Sequence, residues 1–308
     1  MAEQACYIPD FFEPLVREQY GDENAARILD GCAGKRAVTL RANALLATRD
    51  EVAAALDAAG IAWQPVSWYD DAFILPCARE KDVWELDVYR DGHVYLQSLS
   101  SMIPALALGA RNGDDVCDMC AAPGGKTTQI AALARGAYVT ACEMHAPRAD
   151  KLEHNLEKLG ARNVTVMRTD ARRLDEFFSF DRILVDAPCS GSGTLRADDP
   201  RVAKRFTQAL VDKSVKSQRA LLSKGLSLLR PGGTLVYSTC SILGRENEAV
   251  LEWALKRAGR AKQFELKPIE LAASDDLPTL PTQLEGTLAL CPTTLYEGFF
   301  VAKVVRVI

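Results

Sequence analysis

The chain has 308 residues, of which 48% are hydrophobic, and a formal net charge of −4 at pH 7. This length predicts one large hydrophobic core, alone or with a second, smaller one. It contains no run of about 18 apolar residues that would predict a membrane span. Its N-terminal residues do not resemble a secretory signal, so we expect a cytoplasmic protein.

Nine cysteines and three histidines are the residues that could suggest disulfides or a metal. An odd cysteine count in a long chain without a cysteine-rich module favours reduced thiols. Cys117 and Cys120 have the spacing of a zinc site, but no second such pair follows and the histidines are not spaced as ligands. We expect no metal and interpret Cys117 as a small buried strand residue.

Residues 1–90 are predicted to form a small α/β unit. A helix is expected over residues 9–29 and a strand over residues 38–41. Thr48 and Glu51 have the capping-box spacing, which predicts a helix that ends at Gly60. Further short strands are expected at residues 63–68, 72–75 and 89–96.

Residues 91–308 alternate between strand and helix patterns, which predicts an α/β fold with a Rossmann-like, doubly wound parallel sheet. The strands are expected at residues 115–119, 138–143, 164–168, 181–186 and 234–238, with a closing strand at 299–305. Helices are expected from about residue 126, over 147–159, and over 214–229 before Pro231-Gly232-Gly233.

A glycine-rich turn follows the first strand of this unit. Its sequence lacks the glycine spacing of a Walker P-loop and of the dinucleotide fingerprint. Glycines still let the backbone approach a ligand, and a helix start offers free N–H groups to a carboxylate. The turn therefore predicts a site for the amino acid end of a nucleoside-type cofactor. Its residues are Cys120, Ala121, Ala122, Pro123, Gly124, Gly125 and Lys126.

Acidic residues follow the ends of the predicted strands. Ligands of open parallel sheets bind beyond the carboxyl ends of the strands, so Asp118, Glu143, Asp170 and Asp186 are candidates. A carboxylate that closes the second strand can accept both hydroxyls of a ribose. We predict that Glu143 is this ribose ligand.

Two cysteines, Cys189 in Asp186-Ala187-Pro188-Cys189 and Cys240 in Ser238-Thr239-Cys240-Ser241, follow later strands. A lone cysteine is usually a small core residue. Two of them at strand ends on the ligand side of the sheet, in turns rich in small residues, instead indicate covalent chemistry. Their spacing does not decide which thiol attacks.

A basic stretch from Arg196 to Arg230 follows the first of these cysteines. The net negative charge argues mildly against nucleic acid, but the local excess of basic residues is consistent with a phosphate track. A solvated helix face is the alternative interpretation. We predict RNA contacts from Arg201, Lys204 and Arg205. A second basic cluster consists of Lys35, Arg36 and Arg41.

The glycine turn and the two cysteine segments together resemble the RsmB/NOP/Sun family of RNA cytosine-5 methyltransferases, from about Asp91 to the C-terminus. The segments 92–102 and 297–302 resemble its entry motif and closing strand, whereas the stretch before Glu297, with Cys291-Pro292, departs from it. The resemblance implies a class I methyltransferase sheet over 91–308, an RNA-binding domain over 1–90 and S-adenosylmethionine as methyl donor.

The resemblance also implies residue roles. It assigns attack on cytosine carbon 6 to Cys240 and release of the covalent intermediate to Cys189. Donor contacts correspond to the turn from Cys120 to Lys126, with Glu143, Asp170 and Asp186. Asp186 is the partner expected at cytosine N3, because a hydrogen-bonding carboxyl lowers the cost of charge building there.

The function that we expect is methylation of a flipped cytosine in structured RNA by a monomer. Ribosomal RNA is favoured, and transfer RNA is the second candidate substrate. Two different functions compete with this one: an RNA-binding assembly factor without turnover, and a methyltransferase for proteins or small molecules. The intact Asp186, Cys189 and Cys240 argue against an assembly factor. A protein or small-molecule methyltransferase would need neither two cysteines nor a basic stretch.

Overall fold

The structure, a computed structural model, describes residues 6–258 and 263–307, and their strands form two sheets. The smaller sheet has the order β2-β3-β1-β4, and its paired strands are antiparallel. Its strands are β1 (Val38–Ala42), β2 (Gln64–Pro65), β3 (Ala72–Leu75) and β4 (Val94–Leu96), and the helices of this part are α1 (Phe12–Ala33), α2 (Arg49–Ala58), α3 (Glu80–Trp84) and α4 (Asp87–Arg90).

The start of α2 matches the sequence prediction. The Thr48 hydroxyl accepts a hydrogen bond from the Glu51 backbone N–H at 3.3 Å, and the Glu51 carboxylate accepts one from the Thr48 N–H at 2.7 Å. These two bonds satisfy N–H groups that a helix start leaves without intrahelical partners. The capping box is therefore confirmed.

Two predicted strands of the small unit are shorter in the structure. Residues 63–68 pair only at Gln64–Pro65, and residues 89–96 divide into the end of α4 and the short β4. Gly92, with a φ of 76°, turns the chain between them. A Cβ on Gly92 would lie 2.2 Å from the Lys158 carbonyl oxygen, so this close approach requires glycine.

The larger sheet carries the predicted Rossmann-like topology. Its order is β11-β12-β13-β9-β8-β5-β6-β7, with β10 also paired to β13; the run from β7 to β9 is parallel, and β13 is antiparallel to β9. The strands are β5 (Asp115–Asp118), β6 (Tyr138–Cys142), β7 (Val164–Met167), β8 (Phe180–Asp186), β9 (Leu229–Thr239), β10 (Phe264–Lys267), β11 (Thr279–Leu280), β12 (Thr287–Leu290) and β13 (Phe299–Arg306).

The helices of this part depart from the predictions in two ways. α9 begins at Gln208 because Thr207 caps it through the Leu210 N–H, and the predicted stop at Pro231–Gly233 lies within β9. Three helices have no counterpart among the predicted elements: α5 (Leu99–Leu108), α8 (Val202–Arg205) and α10 (Glu248–Arg257). The helices are α5 (Leu99–Leu108), α6 (Gly125–Leu133), α7 (Ala146–Lys158), α8 (Val202–Arg205), α9 (Gln208–Leu228) and α10 (Glu248–Arg257), and none in the described ranges is long and apolar enough to cross a membrane.

Gly193 connects the loop after Cys189 to the Cys240 turn and to the start of β13. Its N–H donates to the Cys240 carbonyl at 3.0 Å, and its own carbonyl accepts from the Gly298 N–H at 2.8 Å. A Cβ on Gly193 would lie 1.9 Å from the Gly298 carbonyl oxygen. The loop after Cys189 is thereby fixed against both the Cys240 turn and the start of β13.

We expect Gly193→Ala to destabilise the protein, because the new methyl group would force backbone apart. Overpacking of this kind costs about 1–3 kcal/mol. Urea unfolding followed by circular dichroism should show a lower midpoint. Gly244→Ala is the matched control, because its Cβ would meet only the side chains of Glu248 and Gln19, at 3.3 and 3.5 Å. Equal midpoints for the two variants would contradict the packing role of Gly193.

Candidate active site

The ends of β5 and β8 meet where the order of strands reverses. β5 ends at Asp118 and its neighbour β8 ends at Asp186. The strands that follow β5 in the chain, β6 and β7, lie on its other side, so the connection to β8 crosses back. Open parallel sheets bind ligands at such a reversal. The predicted site residues at the strand ends are therefore brought to one edge.

The glycine turn packs closely against neighbouring residues at this edge. Gly124 has a φ of 108°, a left-handed conformation that residues with side chains rarely adopt. A Cβ on Gly125 would lie 2.8 Å from the Tyr95 ring, so β4 of the small sheet packs directly on the turn. α6 begins at Gly125 and directs its first N–H groups to this edge.

The Asp118 side chain is hydrogen-bonded to the glycine turn and to α6. Its carboxylate accepts a hydrogen bond from the Thr127 hydroxyl at 2.7 Å and another from the Cys120 N–H at 3.2 Å. Burial raises the pKa of Asp118 to about 6, with a further contribution from the charge of Asp186. Asp118 therefore connects the end of β5 to both the turn and the first residues of α6.

Lys126 and Asp186 form an ion pair across the reversal. The Lys126 Nζ lies 2.7 Å from Asp186 Oδ2 and 2.7 Å from the Ser101 hydroxyl, and Asp186 Oδ1 accepts from the Ser238 hydroxyl at 2.8 Å. Burial acts to lower the pKa of Lys126, but the charge and hydrogen bond of Asp186 outweigh it and raise that pKa. The ammonium therefore stays charged, and it lies 5.4 Å from the Phe299 ring centroid.

The two predicted catalytic thiols are in contact. Cys189 Sγ lies 3.2 Å from Cys240 Sγ, although 51 residues separate them in the chain. The hydrogen bond with Cys240, together with burial, raises the pKa of Cys189 well above its ordinary value. A thiol with a raised pKa is a poor source of thiolate but a strong base once it has lost its proton.

Two cavities open on this edge and meet at Cys240. The first, of about 340 Å³, is lined by Lys126, Phe299 and Glu297. The second, of about 250 Å³, is lined by Glu143, Asp170 and Cys189. The residues common to both linings are Cys120, Ala122, Asp186, Ala187 and Cys240.

The second cavity has the acidic residues predicted for a ribose-containing cofactor. Glu143 is buried; it accepts from the His145 N–H at 2.8 Å and lies 3.2 Å from an Arg148 nitrogen. Asp170 pairs with Arg172, whose hydrogen bond lowers the pKa of Asp170. Both carboxylates face the same cavity as Cys120 and Ala122 of the turn. Donor and acceptor types therefore fit a nucleoside with a free amino acid end.

The structure separates the predicted cofactor residues from the predicted RNA residues. Of the turn, Cys120 and Ala122 line both cavities, and the first cavity alone is lined by Ala121, Pro123, Gly125 and Lys126. Arg201, Lys204 and Arg205 are exposed at the surface, on or beside α8, and line neither cavity. The side chain of Arg201 is 70% exposed and pairs with Asp199 at 2.8 Å.

The second basic cluster is not a surface patch. Arg41 is fully buried and donates to Thr128 of α6 and to Gln97. Arg36 donates to the Gly193 carbonyl at 3.2 Å and lies 3.9 Å from Glu297. These guanidinium groups connect the N-terminal part to the larger unit.

Several residues of the site carry no signal of their role in the sequence. The spacing of Lys126 and Asp186 gives no sign of an ion pair, because 60 residues separate them. Glu297 stands out in the sequence only as the start of the closing strand; in the structure it accepts from the Ser98 hydroxyl at 2.7 Å and lines the first cavity. Glu246 belongs to no recognised motif, although it is fully buried beside both cysteine turns.

Comparison with known families agrees with this site. Residues 105–305 match the family described as 16S rRNA methyltransferase RsmB/F. Residues 8–80 match the ferredoxin-like domain of RsmF/B-like methyltransferases. The chain belongs to the RsmB/F family. The resemblance inferred from the motifs is thus confirmed, as is the α/β fold with a Rossmann-like sheet, and the N-terminal domain is ferredoxin-like.

Individual relatives extend this result. The small-subunit ribosomal RNA methyltransferase F of Shewanella oneidensis is 33% identical over 305 residues, covering 97% of this chain and 63% of the relative. The chain thus spans less than two thirds of the length of that relative. A methyltransferase homologue from Pyrococcus horikoshii superposes with a TM-score of 0.82, at 31% identity and with 97% and 95% of the two chains covered.

A third likeness concerns the fold alone. The structure described as NSun6 from Pyrococcus horikoshii with SFG has a TM-score of 0.85, at 22% identity and with 98% and 99% of the chains covered. The description of the matched family names 16S rRNA methyltransferases, which is the class of enzyme that the sequence motifs predict.

We expect Glu143→Ala to weaken S-adenosylhomocysteine binding by about 10-fold to 100-fold, since hydrogen bonds to a charged group contribute about 1.5–3 kcal/mol. Isothermal calorimetry measures this directly. Glu153→Ala is the control, because Glu153 pairs with Arg168 on the exposed side of α7 and does not line the cavity. An affinity of Glu143→Ala within twofold of the parent would contradict the ribose assignment.

Proposed function

We propose that this protein is a cytoplasmic, monomeric methyltransferase that transfers a methyl group from S-adenosylmethionine to carbon 5 of a cytosine in ribosomal RNA. The observation that carries the proposal is the pair of thiols, 3.2 Å apart, at the junction of two cavities. One cavity has the residues for a nucleoside cofactor, and the other has an ammonium and carboxylate suited to a base. A methyl transfer needs both ligands to meet at one point.

Carbon 5 of cytosine is a poor nucleophile, so the base must first be activated. We assign this step to Cys240, which lines both cavities. Its thiolate adds to carbon 6, a carbon–sulfur bond forms, and the electrons of the carbon 5–carbon 6 double bond become available at carbon 5. S-Adenosylmethionine supplies an electrophilic methyl group, and its sulfur keeps the electron pair of the broken bond.

Lys126 and Asp186 are suited to stabilise the activated base. Negative charge builds up at N3 and O2 of the cytosine when the thiolate adds to carbon 6. A hydrogen-bonded ammonium and carboxyl within the cavity place a proton beside that charge, without reorganisation of solvent. Ser101 and Ser238 fix the two groups from either side. We therefore propose that Asp186 acts at N3 together with Lys126.

Cys189 is suited to the release step. After methylation, carbon 5 carries both a proton and the methyl group, and loss of that proton returns an electron pair to the ring. The Cys240–carbon 6 bond then breaks, and the thiolate leaves with its electrons. Cys189 lies beside Cys240, so its thiolate can reach the carbon 5 proton of the adduct and take it up.

We further propose that residues 1–90 form the RNA-binding domain and residues 91–308 the methyltransferase domain. β4 lies just beyond this boundary and pairs with β1 of the small sheet, and it brings Tyr95 to the first cavity and against Gly125. The exposed Arg201, Lys204 and Arg205 follow the Cys189 loop and would contact RNA phosphates. RNA bound across both units would place a flipped base in the first cavity.

Replacement of each of the two thiols by serine is expected to block a different step of the reaction. Cys240→Ser removes the attacking thiolate and should abolish both turnover and any covalent adduct with RNA. Cys189→Ser should form the adduct and then stall, so that an RNA–protein species survives denaturing electrophoresis. Small-subunit ribosomal RNA is the substrate to use, with S-adenosylmethionine present.

The same experiment distinguishes the competing functions. An adduct that accumulates in Cys240→Ser instead would invert the two assignments. A parent protein that gives neither adduct nor methylation with ribosomal RNA, but does so with transfer RNA, would change the substrate. No activity with any cytosine-containing RNA would favour an RNA-binding assembly factor.

Charge reversal tests the phosphate contacts. Arg201→Glu, Lys204→Glu and Arg205→Glu together should weaken RNA binding, and each lost contact should reduce the log–log salt slope by about 0.7–0.9. S-Adenosylhomocysteine affinity should stay unchanged. The control reverses Lys256, Arg257 and Lys267, which are exposed on α10 and β10. A salt slope equal to that of the parent would instead indicate that residues 201–205 form a solvated helix face without phosphate contacts.

A further inference from the structure

Glu246 is a fully buried carboxylate that touches both cysteine turns. Its Oε1 accepts from the Ser190 N–H at 2.8 Å, and its Oε2 accepts from the Ser190 hydroxyl at 2.5 Å and from the Ser241 hydroxyl at 2.6 Å. Ser190 follows Cys189 directly, and Ser241 follows Cys240 directly. One side chain therefore accepts hydrogen bonds from the residue after each thiol.

The surroundings of Glu246 fix the carboxylate itself. Gln218 of α9 donates to Glu246 Oε1 at 3.4 Å and to the Pro188 carbonyl at 3.0 Å. The Tyr237 hydroxyl donates to the Glu246 backbone carbonyl at 2.5 Å. Glu246 is thus held by Tyr237 of β9 and Gln218 of α9.

A second hydrogen bond runs in parallel between the turns. The hydroxyls of Ser192 and Ser241 lie 2.8 Å apart, and the Ser192 hydroxyl also accepts from the Ile242 N–H at 3.0 Å. This bond joins two neutral groups, whereas those to Glu246 are made to a carboxylate, which makes them the stronger ones. A buried carboxylate without such donors would be costly, and both oxygens of Glu246 accept hydrogen bonds.

We propose that Glu246 is a positioning residue that sets the distance between the attacking and releasing thiols. This role rests on the function proposed above, and it adds a residue that does not line either cavity. With the carboxylate in place, both turns are tied to one point and the sulfur atoms stay in contact. Without it, four donors, three of them on the two turns, lose this acceptor, and the turns separate.

The first test combines kinetics with a chemical measure of thiol proximity. Glu246→Ala should lower kcat by about 100-fold, because misplacement of reacting groups by about 1 Å has effects of that size, while KM for RNA stays within twofold. Oxidation with diamide should join Cys189 to Cys240 in the parent and do so about 10-fold more slowly in the variant, since a disulfide requires specific geometry. Peptide mass spectrometry quantifies the link.

Glu248→Ala is the matched control. Glu248 lies two residues further on, is also buried, and has no hydrogen bond to either cysteine turn among those of the described residues. Its removal should leave kcat and the diamide rate within twofold of the parent. Glu246→Gln keeps one acceptor and the shape of the side chain, so it should restore much of both quantities. Equal losses in Glu246→Ala and Glu248→Ala, or an unchanged diamide rate in Glu246→Ala, would overturn the proposal.

Two further variants cover the case in which Glu246→Ala does not fold. Ser190→Ala and Ser241→Ala each remove one hydroxyl that donates to the carboxylate, and each should lower kcat by about 10-fold. Parent-like kcat in both would overturn the positioning role. The diamide measurement needs no RNA, so a parent without methyltransferase activity would refute the proposed function and leave the thiol geometry separately testable.

Discussion

The ion pair between Lys126 and Asp186 is the interaction on which the site depends. Lys126 belongs to the first turn of α6 and Asp186 to the end of β8, so the pair bridges the point where the strand order reverses. In a buried setting such a pair needs further hydrogen bonds to offset desolvation. Ser101 and Ser238 supply them. Asp186 also lies at the boundary between the two cavities, since it lines both.

The fold explains why the chemistry can occur at this place. The thiols lie on two turns that follow adjacent parallel strands, β8 and β9, and Gly193 and Glu246 tie these turns together. The small sheet closes the same edge from the other side through Tyr95 and the buried Arg41. Tyr95 and Leu96 of β4, the last strand of the small sheet, line the first cavity together with residues of the larger unit. An RNA base held there would contact β4 as well as the larger unit.

Local sequence signals predict the helix start and the strands that they determine directly. Thr48 and Glu51 cap α2 as expected, and the alternation of apolar segments locates the parallel strands. α5 is not predictable in this way because it is apolar on nearly all faces and contains Pro104, so it lacks the period of an exposed helix. The predicted strand over residues 89–96 is interrupted at Gly92. There a close contact with Lys158, which is distant in sequence, determines the backbone conformation.

The site is predictable in its residue types but not in its distances. Motif resemblance locates Cys189, Cys240, Asp186 and Glu143, each of which lies at or just after the end of a strand. The ion pair of Lys126, the contact between the thiols and the bridging role of Glu246 depend on turns that are distant in sequence and meet only in the folded chain. The burial of Arg41 is likewise not predictable, since a buried arginine and a surface arginine look alike in sequence.

Release of the hydrogen at cytosine carbon 5 tests the central claim most directly. The measurement uses small-subunit ribosomal RNA labelled with tritium at carbon 5 of its cytosines, together with S-adenosylmethionine carrying a carbon-14 methyl group. Attack at carbon 5 through a Cys240 adduct predicts one tritium released to water for each methyl group transferred to RNA. Methyl transfer with full retention of tritium would contradict the account, because the methyl group would then lie on another atom.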